Sequence, residues 1–194
     1  MESYIKLLFI LSLINFINGE CSPGSEDIGG VCQKCKVGTY SSNGKECLEC
    51  NPGTFASSKG MKECKNCSAG TYSKSGASLC TRCPDGTYSN RGASNCRNCN
   101  EGTFSKGGSK CQPCEPGTYP NKFKSACNEC SKGTYNDMSG QAKCKPCPAG
   151  TYSSKKGSTQ CNKCPLNTYS KSGASNCTDY PKGKHSEEGA SSCK

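Results

Sequence analysis

The stretch Cys147-Pro148-Ala149-Gly150-Thr151-Tyr152-Ser153-Ser154-Lys155-Lys156-Gly157-Ser158-Thr159-Gln160-Cys161-Asn162-Lys163-Cys164 decides the fold. It opens on the second cysteine of one Cys-x-x-Cys and closes on the next such pair. Thr-Tyr-Ser reads as a short extended segment. The Ser-Lys-Lys-Gly-Ser cluster reads as a turn, and a second short strand is expected to lead into the next cysteine. The stretch is thus a β-hairpin of about 16 residues. A lone hairpin is marginal in water, so cross-links and contacts between hairpins must hold it.

The same stretch recurs along the chain. Cys-x-x-Cys occurs nine times, beginning at 32, 47, 64, 80, 96, 111, 127, 144 and 161. Gly-Thr-Tyr or Gly-Thr-Phe follows at a fixed offset, from Gly38-Thr39-Tyr40 to Gly150-Thr151-Tyr152, and the ninth instance is Asn167-Thr168-Tyr169. Asn is the residue that, after Gly, best tolerates positive φ, so the backbone there is expected to be left-handed or in a turn. Each aromatic is expected to pack on a disulfide or a neighbouring repeat. Tandem units of this kind form quasi-one-dimensional arrays.

Composition limits what else the chain can be. It has 194 residues and 21 cysteines. From Glu20 onward the Ile, Leu, Val, Met and Phe residues number eleven, from Ile28 to Leu166. At roughly 1.5–3 kcal/mol per fully buried side chain, these cannot close one core, which excludes a conventional enzyme domain. The expected fold class is small and disulfide-rich, an elongated array of short β-hairpin repeats with little hydrophobic core. The single His, His185, stands at the aromatic position of the last, degenerate repeat and reads as a stacking substitute. No catalytic set and no cofactor site are expected.

The N-terminus reads differently. Leu7–Ile17 is an eleven-residue apolar run preceded by Lys6 and followed by Asn18-Gly19. It is too short for a membrane span of about 20 residues and fits a cleaved secretory signal. The expected organisation is a signal peptide at 1–19, a degenerate opening repeat at 20–31, tandem repeats at 32–177 and a degenerate terminal repeat at 178–194. No later run is long enough to span a membrane. The mature chain is expected to be secreted or extracellular, with retention at the cell surface left open.

Two pairing schemes satisfy the count. In one, bonds cross each Gly-Thr-aromatic loop: Cys21–Cys32, Cys35–Cys47, Cys50–Cys64, Cys67–Cys80, Cys83–Cys96, Cys99–Cys111, Cys114–Cys127, Cys130–Cys144, Cys147–Cys161 and Cys164–Cys177, leaving Cys193 unpaired. Tyr180 then stands where a partner for Cys193 would be. In the other, each Cys-x-x-Cys closes on itself, Cys177 bonds Cys193 and Cys21 is left. The first is favoured, because loops of this length are each worth roughly 3 kcal/mol, while the short ring suits redox work. Zinc binding would need cysteines grouped in fours, which nine pairs do not supply. A thioredoxin-type dithiol would need a helix N-terminus, and helix periodicity is missing. No metal site is expected.

The repeat Cys-x-x-Cys-x-x-Gly-Thr-Tyr-Ser-x-x-x-Gly-x-x-x-Cys resembles the ephrin-receptor-like cysteine-rich repeat, over about residues 32–177 and weakly over 21–193. Its opening loop also resembles the first submodule of tumour-necrosis-factor-receptor cysteine-rich domains. In that submodule the Cys before x-x-Gly-x-Tyr bonds the next Cys along, which implies the first scheme here. The resemblance implies a spacer or contact module, not a particular ligand. The chain shows no transmembrane or kinase region of the receptor type, so the resemblance implies no signalling.

The formal charge is +10. A basic residue recurs near each expected hairpin tip, at Lys45, Lys59, Lys74, Arg91, Lys106, Lys122, Lys155 and Lys171; the repeat containing Asp137 lacks one. Such residues are either solvated turn positions or a surface for acidic glycans. Asn66-Cys67-Ser68 and Asn176-Cys177-Thr178 are glycosylation sequons, giving Asn66 and Asn176 as sites in competition with disulfide formation. The expected function is structural or adhesive, at a cell surface or in extracellular matrix. The alternative is a soluble receptor-like module for an extracellular protein or acidic glycan. Nucleic acid is not expected as a partner, and a disulfide-linked dimer through Cys193 is allowed for.

Overall fold

The computed structural model describes residues 20–192. The expected signal peptide at 1–19 and the expected orphan Cys193 lie outside the described residues. The chain divides into two compact units, Met1–Cys83 with Ser89–Cys96, and Pro84–Tyr88 with Arg97–Lys194. Among the described residues both consist of two-stranded antiparallel hairpins, ten in all.

In the first unit β1 (Ser25–Ile28) pairs with β2 (Val31–Lys34), β3 (Thr39–Tyr40) with β4 (Leu48–Glu49), β5 (Thr54–Phe55) with β6 (Lys65–Asn66), and β7 (Thr71–Tyr72) with β8 (Thr81–Arg82). In the second unit the pairs are β9 (Thr87–Tyr88) with β10 (Arg97–Asn98), β11 (Thr103–Phe104) with β12 (Gln112–Pro113), and β13 (Thr118–Pro120) with β14 (Cys127–Glu129). They continue with β15 (Thr134–Tyr135) and β16 (Lys145–Pro146), β17 (Thr151–Tyr152) and β18 (Asn162–Lys163), and β19 (Thr168–Tyr169) and β20 (Thr178–Asp179).

The Gly-Thr pair builds the entry turn. Thr39 donates both its N–H (3.1 Å) and its hydroxyl (2.9 Å) to the Lys36 carbonyl, three residues back. The residue between, Gly38, has φ 84°, the positive value that the third position of a type II turn requires. Asn167 takes the same place with φ 62°, as its substitution for glycine led us to expect. The return strand differs from expectation. It does not precede the next cysteine but in most repeats lies inside the Cys-x-x-Cys, as Leu48–Glu49 between Cys47 and Cys50. A backbone bond explains the register: Cys50 N–H donates to Gly38 O at 3.0 Å, and the equivalent bond recurs from Cys67 to Gly53 and from Cys164 to Gly150.

Ten disulfides join consecutive cysteines across these loops, from Cys21–Cys32 and Cys35–Cys47 to Cys147–Cys161 and Cys164–Cys177. The Cα–Cα separations are 5.5–5.8 Å, within the usual range for a bridge. Among the described residues none closes within a Cys-x-x-Cys, so the arrangement is the first of the two schemes.

The core is a row of sulfurs and small polar groups. The second cysteine of each pair is buried, with Cys35, Cys50, Cys67, Cys114, Cys130, Cys147 and Cys164 at 0% exposure. Also buried are the residues that follow eight of the nine aromatics: Ser41, Ala56, Ser73, Ser89, Ser105, Asn136, Ser153 and Ser170, while Pro120 after Tyr119 is half-buried. The aromatics themselves are only half-buried. Successive residues of an extended chain face opposite sides, so burying the serine turns its aromatic neighbour outward. Buried hydroxyls need partners, and these have them: Ser73 Oγ donates to Thr54 O at 2.8 Å, and Ser170 Oγ to Thr151 O at 2.9 Å.

Contacts between repeats reach further than the next neighbour. Gly133 N–H donates to Ser153 O (2.8 Å) in the following repeat, and Gly157 N–H donates back to Cys130 O (2.8 Å). A Cβ added to Gly133 would meet Gly173 O, two repeats on, at 2.1 Å. Gly38 and Gly117 stand in the same relation to Gly76 O and Gly157 O. Each such glycine is therefore needed twice, for its positive φ and for the backbone pressed against it.

Candidate functional site

With the core given over to sulfur and serine, the chemistry available to a partner lies on the turns. The eight basic tip residues Lys45, Lys59, Lys74, Arg91, Lys106, Lys122, Lys155 and Lys171 are all exposed. Lys74 is held by its neighbours: its ammonium stands 5.9 Å from the Tyr72 ring centroid and donates to Asn95 Oδ1. The repeat without a basic tip residue forms an ion pair in its place, Lys145 Nζ to Asp137 Oδ1 at 2.8 Å. The hydrogen bond from Lys145 holds the Asp137 carboxyl below its ordinary range, and the same bond raises the Lys145 ammonium. Lys145 also sits 6.0 Å from the Tyr135 ring centroid.

One repeat is irregular at its tip. Where the other tips carry glycine, as in Gly76-Ala77 and Gly173-Ala174, it has Phe123-Lys124. In most repeats the tip glycine N–H donates to the buried cysteine carbonyl of the repeat before, as Gly140 to Cys114 O at 2.8 Å. Here the Lys124 ammonium donates to Cys99 O instead. Lys124 takes φ 51°, and Phe123 is left 74% exposed.

Asn66 and Asn176 are both exposed. The central residues of their sequons are bonded, Cys67 to Cys80 and Cys177 to Cys164. Cys67 is fully buried while Cys177 is half-buried. Folding therefore closes the first sequon more tightly than the second.

The terminal repeat replaces its bridge with a hydrogen bond. Tyr180, at the place of a cysteine, donates its phenol hydroxyl to Ser192 O across the loop. Its ring also meets Tyr169 edge-on, with centroids 5.3 Å apart. His185 does not serve as the expected stacking substitute: it is exposed, and its Nδ1 lies 3.3 Å from Asn167 Oδ1. Tyr180, His185, Ser186 and Ser192 line an open cleft of about 330 Å³. The cleft gathers no second titratable group capable of acid–base work beside His185 except the Tyr180 phenol. All cysteines among the described residues are paired within the chain, which argues against an intermolecular bridge through any of them. Among the described residues, no cluster of His, Cys, Asp or Glu could hold a metal ion, and no helix is long and apolar enough to cross a membrane.

Comparison with known families agrees with this geometry. A family model described as tyrosine-protein kinase ephrin type A/B receptor-like matches residues 38–75, 70–106, 117–160 and 133–180. These matches cover more than half of the chain and fall on the Gly-Thr-aromatic hairpins and their bridges. The repeat is a structural module, not a catalytic one. No curated protein matches the chain.

Proposed function

This chain belongs to the ephrin type A/B receptor-like family of cysteine-rich repeats, and from that we propose that it is a secreted, non-enzymatic extracellular protein with a structural or adhesive role at a cell surface or in matrix. The observation that carries the reading is the core. It consists of one buried half-cystine per repeat, backed by a serine, alanine or asparagine. Such a core depends on bridges that form and persist in oxidising compartments. Residues 1–19 act in this reading as the cleaved signal. The exposed tips and half-buried aromatics then supply contact surface without a catalytic centre. The test is to express the full chain in a secretory eukaryotic cell, locate it, and sequence the N-terminus of the extracellular product. The expected result is export with a mature N-terminus at Glu20; retention in the cytosol with residues 1–19 attached would refute it.

A second reading, binding of an acidic glycan, is favoured by the net charge of +10 and the eight exposed basic tip residues. Exposed charges of this kind act through salt-screened attraction. The secreted protein should bind a sulfated polysaccharide column and elute with moderate salt. Passage through the column at low salt would exclude this reading and leave the structural one standing.

A further inference from the structure

Three successive repeats of the second unit share an arrangement that the repeat holding Asn167 does not copy. At Gly150, the position of a Cβ is filled by the Gly189 carbonyl, 2.0 Å away and two repeats on. The next carbonyl, Ala190 O, accepts the N–H of Ser170 at 3.1 Å. One repeat earlier the set is Gly133, Gly173 O at 2.1 Å, and Ser153 N–H to Ala174 O at 3.2 Å. One earlier again it is Gly117, Gly157 O at 2.2 Å, and Asn136 N–H to Ser158 O at 3.1 Å. In each set one carbonyl from two repeats on fills the space beside the glycine, and the next carbonyl along takes the N–H of the repeat between.

The next glycine position is Asn167, and the N–H that needs an acceptor is that of Ser186. Asn167 otherwise behaves as its predecessors do: its N–H donates to Ser186 O, and Ser186 Oγ donates to Thr168 O. Its φ of 62° stays in the left-handed region. The acceptor for Ser186 N–H is now Asn167 Oδ1, at 3.3 Å, and the same oxygen faces His185 Nδ1. An asparagine side chain is a carboxamide carried on a Cβ, which is a peptide group in the very direction where the inner glycines meet one.

We propose that Asn167 caps the C-terminal face of the stack by imitation: its carboxamide stands in for the peptide of a repeat two places on. Because it fills that space, the face takes no further repeat in the same stacking, whether from the same chain or from a second copy. Positive φ alone would explain an Asn here but not the direction of its side chain.

The test uses the full, oxidised chain and site-resolved amide hydrogen exchange. Asn167→Gly keeps the backbone conformation and removes the acceptor, so Ser186 N–H should exchange about two- to ten-fold faster, the loss of one ordinary hydrogen bond. Asn167→Asp keeps an oxygen there and should hold Ser186 near wild-type protection. Gly150→Asn introduces the same side chain where a repeat is already seated; it should strip protection from Gly189 N–H, while Ser170 N–H keeps protection by donating to the new side-chain oxygen in place of Ala190 O. Unchanged Ser186 exchange in Asn167→Gly would overturn the cap. So would a Gly150→Asn chain that keeps Gly189 protected.

Discussion

Replacing Gly133 by alanine puts the stacking geometry under direct strain. The new Cβ would stand 2.1 Å from Gly173 O and 2.9 Å from Gly173 C, where ordinary contact begins at 3.4 Å. Both obstacles are backbone, so no side chain can swing aside. Relief requires a shift of more than 1 Å between two repeats, against the bonds from Gly133 N–H to Ser153 O (2.8 Å) and from Gly173 N–H to Cys147 O (2.8 Å). Overpacking of this kind costs about 1–3 kcal/mol, and an L-residue in the left-handed region adds about 1–2 kcal/mol. The total is about 2–5 kcal/mol, or roughly 30-fold to a few thousand-fold in an opening equilibrium. The control is Gly183→Ala. Gly183 has φ 87°, yet a Cβ on it meets nothing within 4 Å, so it bears the conformational cost alone. Hydrogen exchange is the right assay, because stacked repeats open locally and need not unfold as one unit. Gly133→Ala should release the Gly133 and Gly173 amides, while Gly183→Ala should disturb only its own loop. Equal, local losses in the two variants would refute the role of the backbone approach.

Three further outcomes are expected. Asn136 is fully buried, and its Oδ1 has no hydrogen-bond partner, although Nδ2 donates to Thr118 O at 2.9 Å. Asn136→Ser would remove that orphan acceptor and restore the hydroxyl donor found at Ser73 and Ser170, for a gain of about 1 kcal/mol, read as slower exchange of the residue 136 amide. Tyr180→Cys should create an eleventh loop bridge with Cys193 in place of the phenol hydrogen bond; the denatured, unreduced protein would then titrate no free thiol, and a persisting thiol would contradict the register. The third concerns pH. Asp137 is held below its ordinary value of 3.8 and Lys145 above its ordinary 10.5, chiefly by their mutual hydrogen bond. The pair's contribution is therefore present between those values, lost as pH falls through the Asp137 value, and lost again as pH rises through that of Lys145. Both side chains are exposed, so exchange of the Asp137 loop should be flat from about pH 5 to 9 once intrinsic rates are corrected. A step within that range would mean another group is responsible.

The cysteine spacing carried most of the architecture because a bridge needs its two Cα atoms within a narrow separation. Bridged cysteines 11–14 residues apart, with a turn-forming stretch between them, meet that demand locally. Asn167 was legible for the same reason: a left-handed position admits few residues. What could not be read was anything set by the meeting of distant repeats. The carbonyl of Gly173 against Gly133 depends on how hairpins stack, and no local pattern encodes it. Burial of Ser73 and Ser170 rather than of Tyr72 and Tyr169 runs against hydrophobic rank. It follows from the narrow space beside a disulfide, which a hydroxymethyl fills and a phenol ring does not. Placement of the return strand inside Cys-x-x-Cys was missed because β propensity says little about Leu48–Glu49 or Gln112–Pro113. On the functional side, the exposed tip lysines were legible as turn residues. The Tyr180 phenol closing the last loop was not, since the sequence marked only a missing cysteine.

The most direct test of the account is a disulfide map of the full, oxidised chain, made by proteolysis without reduction at a pH that suppresses exchange. The account predicts peptides joined as Cys35–Cys47, Cys50–Cys64, Cys67–Cys80 and so on to Cys164–Cys177, with one thiol at Cys193. Bridges closed within Cys-x-x-Cys pairs, such as Cys47–Cys50 or Cys161–Cys164, would contradict it, because Cys50 and Cys164 could then no longer be the buried, cross-loop anchors on which the stacked hairpins rest.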